Sequence, residues 1–110
     1  MSDLAYLLAC LDTAVCKAVR AGEIGTARSL RLHVGGGPGD DLPEQGQLLR
    51  LGDAIFACPR VREAQSGRAT LCLWQGGQVA TVSSAPAPRA TIVLTLLGSE
   101  GALHLCEQSP

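Results

Sequence analysis

Apolar positions recur at two different periods along this chain, and the change of period divides it. Between residues 2 and 21, Leu4, Leu7, Leu8, Leu11, Val15, Ala18 and Val19 return every three or four residues. Such spacing lines one face of an amphipathic helix. Ser2 or Asp3 can cap its start, while Gly22 can end it after Lys17 and Arg20 in the last turn. From Ala27 to Val34 the period falls to two, with Leu30, Leu32 and Val34 facing one way and Ser29, Arg31 and His33 the other. That alternation predicts a half-buried strand. GGGPGDD, residues 35–41, then reads as a flexible surface loop.

Residues 42–66 carry two readings. Asp41 and Glu44 have the spacing of a capping box, and Leu48, Leu51 and Ile55 fall at helical intervals. Against a helix stand Gly46 and Gly52, each costing about 1 kcal/mol relative to alanine. The alternative is a short hairpin, Gln47–Leu51 and Ala54–Cys58, turning at Gly52-Asp53. Pro59 ends either form, and the balance tips towards strands.

The terminal block, residues 67–107, predicts two consecutive hairpins. Gly76-Gly77 suits a two-residue loop needing positive φ, which pairs Leu73 with Ala80 and Leu71 with Val82. Trp74 and Val79, with Cys72 and Thr81, then share the opposite face. In the second hairpin Ser99-Glu100 pairs Leu96 with Leu103, Leu94 with Leu105, Thr95 with His104 and Val93 with Cys106. Each register sets apolar against apolar on one face, as a specified register should. The intervening SSAPAP, residues 83–88, is too rich in proline to pair. The expected fold is α+β: one domain over residues 1–110, an N-terminal amphipathic helix packed on a mainly antiparallel sheet of five to seven strands.

Composition narrows what such a domain can do. Tyr6, Phe56 and Trp74 are the only aromatic residues, so stacking platforms for nucleic-acid bases are missing. Nine basic and ten acidic residues give a net charge of −1, without the clustered positive footprint that phosphate backbones demand. No apolar run reaches the length of a membrane span, and Asp3 and Asp12 interrupt the N-terminal stretch, which makes a poor secretory signal. Five cysteines without a CxxC pair point to the cytoplasm, or to a host-cell cytosol, over a disulfide framework.

Candidate chemistry is sparse. His104 and Cys106, two apart on a strand, would sit side by side. With Cys72, Cys58 or His33 nearby they could ligate zinc, though no paired ligand spacing supports it. Cys58 beside Arg60 invites a nucleophile reading that lacks a placed base. The glycine loop has neither the lysine nor the hydroxyl of a phosphate cradle, and Asp40-Asp41 would repel a phosphate. No catalytic residue, cofactor or metal is assigned, and the balance is against an enzyme. The leading expectation is a non-catalytic protein–protein interaction module of adaptor, chaperone or inhibitor type, self-associating as a homodimer. Its edge would be Ala102–Glu107, and its interaction residues Trp74, Val79, His104 and Cys106. A small-molecule-binding β-barrel or sandwich is the alternative, with a thiol or metal site around Cys58, Cys72, His104 and Cys106 third.

Overall fold

A computed structural model describes residues 3–109. The order is α1 (Asp3–Arg20), β1 (Ala27–Gly36), α2 (Gln45–Phe56), β2 (Arg60–Ser66), β3 (Ala69–Trp74), β4 (Val79–Pro86), β5 (Thr91–Gly98) and β6 (Ala102–Gln108). The strands form one sheet in the order β2-β3-β4-β1-β5-β6, with β1 and β4 parallel and every other pair antiparallel. The expected α+β class holds, with six strands.

Both helices lie on one face of this sheet. The apolar stripe of α1 buries Leu4, Leu7, Leu11, Val15 and Ala18 against β1, β5 and β6. Helix α2 buries Leu48, Leu49, Leu51, Gly52 and Phe56 over β1, β3 and β4. The sheet answers with Leu30, Leu32, Val34, Ala80, Val82, Ile92, Leu94 and Leu96. Among the described residues no helix covers the other face. A slab of 38 × 30 × 18 Å results, one sheet and one helical layer thick. No sheet closes, so the barrel or sandwich alternative is corrected.

Residues 45–56 are a helix, not the favoured hairpin. Its capping box is formed by Glu44 and Gln47, not by Asp41 and Glu44: the Glu44 side chain accepts from the Gln47 N–H, and Gln47 Oε1 accepts from the Glu44 N–H at 3.2 Å. Ala57 ends it in the left-handed region, its N–H donating to Asp53 O at 3.0 Å. Tertiary burial of four side chains, Leu48, Leu49, Leu51 and Phe56, overrides two glycines, and one of those glycines is required. A Cβ on Gly52 would come within 2.7 Å of the Trp74 ring.

Two further expectations fail for backbone reasons. The β3–β4 loop has three residues, since the Trp74 N–H donates to Gln78 O at 2.9 Å and the Gly77 N–H to Trp74 O at 3.0 Å. Gly77 alone takes a positive φ, +86°. Pairing therefore runs Leu73 with Val79 and Cys72 with Ala80, one residue from the expected register. One residue of slip exchanges the faces of β3: Cys72 and Trp74 turn into the core, Leu71 and Leu73 out to solvent. The second correction concerns Ser83–Pro86, which do pair, in parallel with His33–Gly36. The second hairpin keeps its expected register throughout.

Candidate functional site

The most apolar hollow lies where the two helices meet. Helical spacing along α1 puts Leu8 and Leu11 beside Leu48 and Leu51 of α2, and between them runs a groove of about 450 Å³ also lined by Leu32 of β1. Asp12, Gln47 and Arg50 supply its polar groups. A second hollow of about 470 Å³ shares Ala5, Leu8, Pro43 and Gln47 with it and continues towards Asp41 and Glu44. Asp12 and Arg50 bring opposite charges to the walls, and no ion pair among the described residues joins them. An apolar floor with a carboxylate, a guanidinium and a carboxamide at its margin suits a small molecule with polar substituents. Among the described residues the groove is lined by no His, Lys or Cys, and Asp12 is the one carboxylate among them.

The C-terminal end of α2 is fixed by a separate polar cluster. Arg60 grips Asp53 with two hydrogen bonds, Nε to Oδ1 at 2.8 Å and Nη2 to Oδ2 at 2.6 Å, and reaches Glu63 at 3.1 Å. Trp74 Nε1 donates to Asp53 Oδ1 at 3.0 Å. The hydrogen bonds from Arg60 hold the Asp53 carboxyl below the usual carboxylate range. This cluster ties α2 to β2 and β3, and every member is satisfied by a neighbour.

The residues singled out from the sequence are scattered by the fold. Trp74 is 1% exposed, its ring edge-on to Phe56 at 4.9 Å, so it is a core residue and offers no interaction surface. Val79 is half-buried on the opposite, uncovered face, between Leu73 and Ser29. His104 and Cys106 do share that face, as expected. His104 Nδ1 is hydrogen-bonded to Thr95 Oγ1 at 2.9 Å, and Cys106 is exposed across from Val93. His33 is there too, with Ser83 Oγ 2.8 Å from its Nδ1. Cys72 lies through the sheet from them, and burial pushes its thiol pKa up. Cys58 donates to Gln78 Oε1 at 3.4 Å. The proposed zinc ligands thus stand on both sides of the sheet, and no group of three or more His, Cys, Asp or Glu among the described residues could hold a metal ion. Sequence reasoning missed the groove. Its one signal was the apolar pair Leu48 and Leu51, which only a helical reading turns towards α1.

No family profile and no curated protein match this sequence. Solved structures do resemble its fold. One is a protein assigned as a myo-inositol dehydrogenase from Sinorhizobium meliloti 1021, at 13% identity and a TM-score of 0.66, covering 90% of this chain and 44% of its own. A second is assigned as a dehydrogenase from Thermotoga maritima, at 12% identity and a TM-score of 0.62, covering 84% of this chain and 37% of its own. A third, assigned as an oxidoreductase from Thermotoga maritima, has a TM-score of 0.58 at 12% identity and covers 86% and 43%. The chain spans less than half the length of each. This overturns the adaptor, chaperone or inhibitor expectation: the fold is one found within dehydrogenases and oxidoreductases.

Proposed function

We propose that this chain is an oxidoreductase-type domain that supplies one wall of a small-molecule site and leaves the dinucleotide to another part of the assembly. The observation that carries this reading is the fold likeness to parts of three proteins named for dehydrogenase or oxidoreductase activity. Topology supports the division of labour. Dinucleotide sites form on a largely parallel sheet, helices on both faces, with a glycine-rich turn entering a helix. Here one strand pair is parallel and the helices share a face. The groove between α1 and α2 is the wall in question, with Asp12, Gln47 and Arg50 orienting a hydroxylated substrate.

NMR titration of the labelled chain tests this, with myo-inositol and other polyols in one series and NAD⁺ in another. Polyols are expected to shift the amides of Ala5, Leu8, Gln47 and Arg50, with NAD⁺ giving no saturable response. Saturable NAD⁺ binding, or a groove indifferent to every polyol, overturns the reading. Two smaller proposals accompany it. The chain forms a homodimer, which a strict monomer in light scattering would refute. It works in the cytoplasm, in keeping with its five free cysteines, and cell fractionation checks that. No helix among the described residues is long and apolar enough to cross a membrane.

A further inference from the structure

The uncovered face of the sheet has a charge pattern that the whole-chain balance conceals. Strand alternation and the pairing registers place Ser29, Arg31 and His33 of β1 on it, beside Val79, Thr81 and Ser83 of β4. Val93, Thr95 and Leu97 of β5 join them, with Ala102, His104 and Cys106 of β6. At the other edge stand Leu71 and Leu73 of β3 and Arg62 and Ala64 of β2. The chain has ten acidic residues, yet not one occupies a strand position on this face. Glu63 and Glu107, the acids within strands, alternate to the helical side.

Near the middle of the face lies a hollow of about 300 Å³ lined by Ser29, Arg31, Val79, Thr81, Thr95 and Leu97. Arg31 pairs directly with Thr95 on one side and Thr81 on the other, and Thr95 pairs with His104. These four residues form a straight row across β6, β5, β1 and β4, with roughly 5 Å between neighbours. Among the described residues Arg31 has no ion pair, and its guanidinium meets no carboxylate. Arginine presents a rigid planar fork of donors that matches carboxylate and phosphate oxygens. An unpaired fork, flanked by hydroxyls and free of neighbouring acids, is complementary to an oxyanion.

We propose that the hollow around Arg31 is a binding site for a small-molecule oxyanion, a phosphate or carboxylate group. Arg31 supplies the bidentate contact, and the hydroxyls of Ser29 and Thr81 complete the hydrogen bonding, joined by Thr95 when His104 Nδ1 carries the proton of the hydrogen bond between them. Leu97 and Val79 take the less polar body of the ligand. The site is on the opposite side of the sheet from the α1–α2 groove and does not depend on the function proposed for that groove.

The test is an NMR titration of the whole chain with inorganic phosphate and with acetate, at constant ionic strength held by chloride. Saturable shifts are expected at the amides of Arg31, Thr81 and Thr95. Arg31→Gln should weaken binding by about tenfold or more, because it removes the charge-assisted pair. Arg31 is exposed, so its far-UV circular dichroism should match the parent. Arg89→Gln, which removes an equal charge from a loop, should leave the affinity unchanged. Equal weakening by both variants means general charge attraction and overturns the site. So do shifts that never saturate, or that chloride reproduces.

Discussion

Asp53 shows how one side chain can join three elements. It accepts from Arg60 on β2 and from the Trp74 indole on β3 while standing in the last turn of α2. Its carboxyl is part-exposed, with 40% of the side chain open to solvent, so the ion pair is partly screened. Asp53→Asn keeps an acceptor for the indole and loses the charge. It should cost about 1 kcal/mol at neutral pH, measured by urea unfolding. The pH dependence has a definite sign. A carboxyl whose folded pKa is depressed stabilises the fold above its ordinary pKa, and that contribution fades as pH falls through the lower folded value. The gap between parent and variant should therefore shrink as pH drops below about 4. A gap that stays constant to the lowest pH at which the chain folds would show that charge is not what Asp53 contributes.

At the scale of the element, α2 decides how much of the fold can be read locally. Gly46 and Gly52 look equivalent in the sequence and are opposite in the structure. Nothing lies within 4 Å of a Cβ built on Gly46, whereas one on Gly52 meets the Trp74 ring at 2.7 and 2.8 Å. Gly46→Ala should be neutral or stabilise by up to about 0.5 kcal/mol, since the first turn feels only part of the propensity gain. Gly52→Ala gains the same propensity but forces apart two buried groups, and overpacking costs about 1–3 kcal/mol. The clash wins, and a net loss of about 1–2 kcal/mol is expected in thermal or urea unfolding. If both variants gained stability equally, the close approach of Trp74 to α2 would be wrong. The second hairpin was legible because its strands, Thr91–Gly98 and Ala102–Gln108, meet at a turn whose length the sequence marks. The first was not, because Gly76-Gly77 fits a two-residue and a three-residue loop, and one residue reverses a face.

For the whole molecule, the sheet separates two environments that the sequence lists side by side. Cys72 is fully buried among the helices, whereas Cys106 and Cys10 are exposed. Reaction with a thiol reagent should give fast modification of Cys10 and Cys106, with Cys72 protected until global unfolding; burial both blocks access and disfavours the thiolate. Mass mapping of modified peptides checks this. Early labelling of Cys72 would show that β3 faces the other way. The candidate groove and the oxyanion hollow are likewise properties of the whole, one between helices that residues 21–44 separate in the chain and the other spread across three strands.

Periodicity alone determined α1, β1, the β5–β6 hairpin and the α+β class, because each rests on contacts near in sequence or on a single apolar face. Tertiary structure decided that residues 45–56 coil, that β4 lies parallel to β1 and that Trp74 points inward. Those outcomes depend on what each segment packs against, and the partners are distant in the chain: Trp74 for Gly52, Leu32 for the groove, His33–Gly36 for the proline-bearing end of β4. Local propensity differs by about 1 kcal/mol per residue between such alternatives, and burial of several large side chains outweighs it.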